Sequence, residues 1–188
     1  MTVSATAASE AASKTASQTA SQASAQASAQ FTPSSAVDAL EWRWKPFDAL
    51  SAREVYAILD ARSAVFVVEQ QCVYRDIDNA DQAAWHLAAY GADGRLAGYL
   101  RVLLPDARES DVRIGRVLTT DAFRGIKLGN ALLANAIEHI RAQWPGTPVS
   151  LHAQAHLQRF YGAFGFTPSS DVHDEDGIPH VWMRAEKV

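Results

Sequence analysis

Hydrophobic and polar positions change period several times after residue 41, and each change marks an element. Trp42 and Trp44 alternate with Arg43 and Lys45, the period-two pattern of a strand, and Pro46 ends it. Ser51, with Glu54 three residues on, reads as a capping box. Val55, Ile58, Leu59, Arg62, Val65 and Phe66 follow at helical spacing, so a helix is predicted from Ala52 to Phe66 or slightly beyond, with Arg62 the one polar member of its stripe. From Val68 to Asp81 the pattern becomes polar and aperiodic, which predicts a loop or a second short helix of a length that often carries function.

Trp85 to Tyr90 and Arg95 to Leu103 have strand composition, and the Asp93-Gly94 between them signals an antiparallel hairpin. Pro105 to Asp111 is a polar loop. Arg113 to Thr119 reads as another strand, in which Gly115 marks a bulge or a close backbone approach. A long helix places Leu128, Leu132, Leu133, Ala136, Ile137, Ile140 and Trp144 on one face and stops at Pro145-Gly146. A strand follows at Val149 to Ala153, then a short helix carrying Leu157, Phe160, Tyr161 and Phe164. The stretch from Pro168 to Met183 is expected to be a long loop ending in a strand at Val181 to Met183, with Glu175 to His180 forming a turn into it. Hairpins first and a helical crossover afterwards give a mixed α/β class, α+β-like, with one central sheet.

Composition divides the chain. The first 30 residues hold eleven Ala, seven Ser, four Thr and four Gln without an aromatic, Gly or Pro, so residues 1–36 are expected to be a solvated tail. That tail has neither the apolar core of a secretion signal nor the Arg of an organelle transit peptide. Residues 37–188 carry all five Trp and are the size of one domain. No run of 18 apolar residues exists, so no membrane-spanning helix is expected. A net charge of −4 argues against a nucleic-acid binder with a broad basic surface. The single Cys72 cannot form an internal disulfide, which fits a reducing cytoplasm. A homodimer is compatible with the sequence, in which nothing separates a dimer edge from an ordinary exposed strand.

The most informative stretch runs from Ile114 to Leu133. A strand enters a Gly-containing turn that opens a helix, whose first amides and partial positive charge face outward. Gly125 and Gly129 would let the backbone approach a phosphate, and Arg124 and Lys127 would add charge, so a diphosphate fits. Neither the dinucleotide fingerprint nor a Walker loop is present. On these residues alone, a strand-to-helix turn with solvated charges is an equal reading.

The stretch resembles the GNAT N-acetyltransferases, whose signature Arg/Gln-x-x-Gly-x-Gly/Ala joins the fourth strand to the next helix. Arg124, Gly125, Ile126, Lys127, Leu128 and Gly129 follow it at the first and last positions. Lys127 stands where most of the superfamily has Gly, and its Cβ predicts a backbone outside the left-handed region there. Three further segments, Val65 to Tyr74, Ala153 to Phe166 and Glu175 to His180, are similar to the ElaA-type branch of that superfamily. The resemblance covers Trp42 to Met183. It implies a mostly antiparallel central sheet, splayed at an acetyl-CoA cleft and flanked by helices. It also implies that acetyl-CoA is the co-substrate, pairing with Val117, Leu118 and Thr119, with its diphosphate on the amides from Gly125 to Asn130. A backbone N–H near Leu118 would stabilise the oxyanion formed when a small-molecule or peptide amine attacks the thioester. Tyr161 matches the family's Phe/Leu-Tyr-x-x-x-Gly-Phe pattern, which implies that it protonates the leaving thiolate.

The base is less defined. Glu69 is the first candidate, with His86 and Asp78 as water-mediated alternatives, and each has a structural reading: ion-pair partner or cap, hydrogen-bonded half-buried residue, turn former. Cys72 lacks a demonstrated base and reads as inert. His152, His156, His173 and His180 suggest a metal cluster, but His152 and His156 span a strand-to-helix junction and not one helix face, so no metal is expected. The acidic turn at Glu175 reads equally as an attractor of a cationic amine or as a solvated turn. A non-catalytic acyl-CoA sensor of the same fold, or an interaction module displaying Val68 to Asp81, are the alternatives from other classes.

Overall fold

Ser51 starts the first helix as its sequence requires. Its side chain accepts a hydrogen bond from the Glu54 amide at 3.2 Å, and Glu54 accepts in return from the Ser51 amide at 2.8 Å. The structure, a computed structural model, describes residues 35–187, so the expectation for the tail up to residue 34 lies outside the described residues. Helix α1 (Ala52–Arg62) does not end at Phe66. It widens into a π-helical segment, Ser63–Glu69, whose end is tied by the Gln70 amide donating to the Val65 carbonyl at 3.1 Å. The polar stretch after it is irregular up to a short 3₁₀ turn, Ala80–Ala83.

Eight strands form one sheet: β1 (Glu41–Pro46), β2 (Ala84–Tyr90), β3 (Leu96–Leu103), β4 (Val112–Thr119), β5 (Val149–Gln154), β6 (Thr167–Pro168), β7 (His173–Glu175) and β8 (Ile178–Ala185). Their order is β1-β2-β3-β4-β5-β8-β6, with β7 on β8. Only β4 and β5 run parallel, joined by helix α2 (Leu128–Gln143) as the crossover; the other pairs are antiparallel. A short helix α3 (Gln158–Gly162) follows β5. The mixed class and the single sheet therefore stand as expected.

The sheet separates two apolar clusters. One packs Leu87, Leu100, Val102, Ile114 and Leu151 against Leu132, Leu133 and Ile140 of α2. The other packs Tyr99, Leu118, Ala88 and Leu96 against Ile58, Ala61 and Val65. Burying each large aliphatic side chain of these sets stabilises the fold by about 1.5–3 kcal/mol. Gly98 permits the close seat of α2 on β3, because a Cβ there would lie 2.8 Å from Leu132 Cδ1.

The end of the chain is more ordered than its sequence suggests. Asp176 (φ 52°) and Gly177 (φ 81°) form a two-residue turn with both central residues left-handed, the geometry that suits hairpin twist. The turn was expected. The partner strand β7 was not, since His173, Asp174 and Glu175 are all exposed and carry no alternation. Strand β8 is also longer than the predicted Val181 to Met183, because Pro179 at a peripheral position does not interrupt it.

Candidate active site

In β4 the regular alternation fails at one point. Tyr99 faces Leu118 and Arg101 faces Gly115, so Arg116 and Val117 together oppose Leu100. Arg116 carries φ 55°, and the extra residue makes a β-bulge next to the Gly115 at which one was expected. A bulge bends its strand, and β4 pairs with β5 only from Val112 to Ile114, against Val149 to Leu151. Beyond that point the two strands diverge around a cleft of about 340 Å³, lined among others by Cys72, Arg116, Val117, His152, Ala153 and Tyr161. Of the β4 residues expected to pair with a pantetheine, Val117 borders this cleft. Leu118 is buried against the α1 side and Thr119 is half-buried.

The turn below β4 leads into α2. Gly125 is left-handed at φ 81°, and so is Lys127, at φ 62° and ψ 26°. The expectation that Lys127 stays out of that region is therefore corrected. The side chain is exposed, so the Cβ meets no packed neighbour, and the cost is the local strain of about 1–2 kcal/mol that a non-Gly residue bears there. No side chain caps the first turn of α2. The amides of Leu128 and Gly129 open that turn, while Asn130 already donates to the Lys127 carbonyl at 3.1 Å. Ile126 packs on the main core. Arg124 reaches Glu69 Oε2 at 2.6 Å and the Thr119 carbonyl at 3.4 Å.

That pairing bears on Glu69. The hydrogen bond from Arg124 holds its carboxyl below the usual range, and Glu69 does not border the cleft. The placement favours the ion-pair reading over the role of base. Tyr161 does border the cleft. Its ring is 6 % exposed and packs edge-on against Phe160 and Phe166 at 4.8 and 6.3 Å, and burial alone pushes its phenol up to about 12. A phenol so placed stays protonated at neutral pH and can donate.

Asp78 and His86 belong to a different assembly. Arg62, fully buried, donates from Nε to Asp76 at 2.8 Å and from Nη1 to Asp81 at 2.6 Å. Arg101 grips Asp78 through two bonds of 2.7 Å and also reaches Asp81 at 2.9 Å, while Arg116 donates to Asp76 at 2.6 Å. Burial alone would raise the Asp78 carboxyl, but the bonds from Arg101 hold it well below its ordinary value. His86 is enclosed between the Tyr99 hydroxyl at 2.7 Å and the Asp81 carbonyl at 3.0 Å, and burial pushes its imidazole down. Both residues fasten the 70–83 segment to the sheet, and neither borders the cleft.

The sequence reading named His152, His173 and His180 together and Glu175 separately, and missed the pairing that the terminal hairpin gives them. His152 Nε2 lies 2.9 Å from His173 Nε2, and its Nδ1 lies 2.7 Å from Glu175 Oε2. Trp182 stacks on the same ring at 4.4 Å, and His180 lies tilted beside it at 4.8 Å. His156 is not part of the group. Among the described residues His152, His173 and Glu175 have side-chain donor atoms within 4.8 Å of one another, but Glu175 meets one nitrogen of His152 and His173 the other, so no single lone pair faces both. The signal lay in the β5–β8–β7 register, His152 opposite Trp182 and His173 opposite His180, which requires β7 to be known.

Comparison with known proteins agrees with this geometry. Residues 48–187 match the model of the acetyltransferase (GNAT) domain. Protein ElaA of Escherichia coli is 44% identical over 151 residues, covering 79% of this chain and 98% of that protein. The crystal structure of an acyl-CoA N-acyltransferase from Pseudomonas aeruginosa superposes with a TM-score of 0.75 at 44% identity, over 78% of this chain and 99% of the other. The crystal structure of E. coli ElaA gives 0.74 at 44% identity with the same coverage. A bulged fourth strand, a cleft where it leaves the fifth, and an uncapped helix below it thus coincide with close kinship along the domain: the chain belongs to the GNAT acetyltransferase family.

Proposed function

We propose that this protein transfers an acetyl group from acetyl-CoA directly to a primary amine of a small molecule or peptide. The observation that carries the reading is the divergence of β4 from β5 above the uncapped start of α2, with Tyr161 in the wall of the gap. In this reading the unpaired edge of β4 from Gly115 to Thr119 receives the pantetheine as an added strand. The diphosphate rests on the amides from Gly125 to Gly129, helped by Arg124 and Lys127, the Asn130 amide being taken by the Lys127 carbonyl. A β4 amide near Leu118 stabilises the oxyanion, and Tyr161 gives its proton to the departing thiolate. Arg124 exchanges Glu69 for phosphate when CoA arrives, which costs little because both partners are exposed.

Calorimetry of CoA binding and turnover of acetyl-CoA with a panel of primary amines test this together. Replacing both Arg124 and Lys127 by Ala is expected to weaken CoA by at least about tenfold, equivalent to 1.4 kcal/mol. Unchanged affinity would remove the diphosphate assignment. Tight CoA binding without turnover of any amine would leave a binding or sensor protein of the same fold.

A further inference from the structure

Transfer from acetyl-CoA to an amine that arrives as an ammonium releases one proton: R–NH₃⁺ and acetyl-S-CoA give R–NH–CO–CH₃, CoA–SH and H⁺. The nitrogen loses two protons, of which the thiolate takes one and solvent the other. Tyr161 answers for the first in the reading above. Nothing described so far receives the second, since Glu69, Asp78 and His86 are all engaged outside the cleft.

The histidine pair has the proton count of an acceptor. An anionic oxygen 2.7 Å from His152 Nδ1 requires a proton on that nitrogen, and the 2.9 Å contact between the two Nε2 atoms requires one proton between them. His173 Nδ1 faces the Asp171 carbonyl at 3.2 Å and must donate as well. Three protons are called for, whereas two neutral imidazoles carry two. The arrangement is therefore complete only when the pair has taken up one proton, with Glu175 balancing its charge. Burial of His152 works in the opposite direction and lowers its affinity for a proton, while Glu175 restores part of it. The two influences oppose each other in a group that can both load and unload. The position suits the task, because half-buried His152 and exposed Glu175 border the cleft beside Ala153 and Tyr161, while His173 is exposed and does not line it.

The geometry points to His152, backed by Glu175, as the proton acceptor for the amine, and to His173 as the route by which that proton leaves for solvent. This rests on the acetyltransferase reading. The ammonium gives a proton, directly or through one water, to the space between the two Nε2 atoms of His152 and His173, where both rings hold it. The free amine forms the C–N bond as the C–S bond breaks, Tyr161 protonates the sulfur, and the nitrogen's second proton returns to Tyr161. His152 passes its proton to His173 and water. Besides His173 and Glu175 of β7, the charged and titratable groups that surround His152 are Asp176 in the turn, His180 of β8, and Arg116, Cys72, Tyr74 and Tyr161 lining the same cleft. His180 already donates Nδ1 to the Ile178 carbonyl at 2.8 Å and has no such proton deficit.

The test uses the full chain and its best amine from the panel. His152→Gln is expected to lower kcat by about 10²-fold, the range of general base catalysis, with CoA affinity by calorimetry unchanged and with partial rescue by added imidazole. The acidic limb of the pH–rate profile should then follow the ionisation of the amine instead of that of an imidazole. His173→Gln, at an exposed site, is expected to lower kcat less and to leave KM for the amine unchanged. It serves if His152→Gln misfolds. Ring NMR of the wild type should show the two imidazoles taking up one proton jointly, at higher pH than in Glu175→Gln. Turnover within threefold of wild type in both Gln variants overturns the assignment while leaving the acetyltransferase reading intact. Independent titration of the two rings also overturns it. A wild-type protein that binds CoA but turns over no amine overturns the reading itself.

Discussion

Two groups of ionisable side chains meet this sheet, and they differ in what they leave unfinished. Around Arg62, three guanidiniums and three carboxylates interlock: Arg62, Arg101 and Arg116 with Asp76, Asp78 and Asp81. Each charge has its counterpart within hydrogen-bond distance. Around His152 the partners are as near, but the set lacks one proton and opens onto the cleft. A set in which every charge is paired holds structure, and one that becomes complete by taking up a proton can take part in a reaction. Density of charged residues does not separate the two. The Asp-bearing segment looks the more chemical of the pair in the sequence, and it is the lock.

The largest test of this contrast removes a guanidinium. Arg62→Met is expected to cost about 3–5 kcal/mol in denaturant unfolding, because Asp76 and Asp81 lose their buried counterpart. A loss under about 1 kcal/mol, the size of an exposed pair, would break the comparison. On the cleft side the effect should fall on rate and spare stability. Tyr161→Phe keeps the ring packed, so unfolding should shift by no more than about 0.5 kcal/mol, while turnover at saturating acetyl-CoA falls by about 10²-fold, equivalent to 2.7 kcal/mol. A raised KM with unchanged kcat would instead reduce Tyr161 to a contact for the sulfur end.

Acidity gives the smallest and sharpest separation. Burial would raise the Glu54 carboxyl, but hydrogen bonds from Lys45, Ser51 and Arg43 overcome it and bring the value from 4.5 to about 2. A carboxyl depressed in the folded state contributes stability above its ordinary value and loses that contribution as pH falls toward the folded value. The thermal stability of wild type should therefore fall on going from pH 4.5 toward 2. Glu54→Gln should flatten that part of the curve at a cost on the order of 1 kcal/mol, the worth of a capping interaction.

What the sequence disclosed followed from how local each signal is. The capping box at Ser51, the Asp93-Gly94 hairpin and the α2 stripe are written within a few residues, and all three elements form. Arg62 stood out as the polar member of an apolar stripe, but its partners lie 14 and 19 residues away and only tertiary structure could name them. Asp78 and His86 were legible as polar groups in a long segment. Whether they face a cleft or a guanidinium is decided by how that segment folds back. The phosphate turn was read from its residue types, yet the left-handed Lys127 was not, because propensity disfavours what the turn geometry imposes. The histidine pair was least legible, since it depends on a hairpin whose outer strand has no apolar face.

The bulge at Arg116 has one more effect. A strand can be treated as a two-letter code of sides, and an inserted residue shifts its reading frame. Val112 and Ile114 join the cluster on the α2 side. A regular pleat through the same residues, without the bulge, would put Leu118 on their side, yet it packs with Ile58 and Val65, and Val117 has taken the α2 side instead. Both apolar clusters thus depend on the bulge that absorbs one supernumerary residue. Deleting Arg116 would leave Val117 and Leu118 in their present compartments, opposite Leu100 and Tyr99, while the bulge and the guanidinium held by Asp76 would vanish.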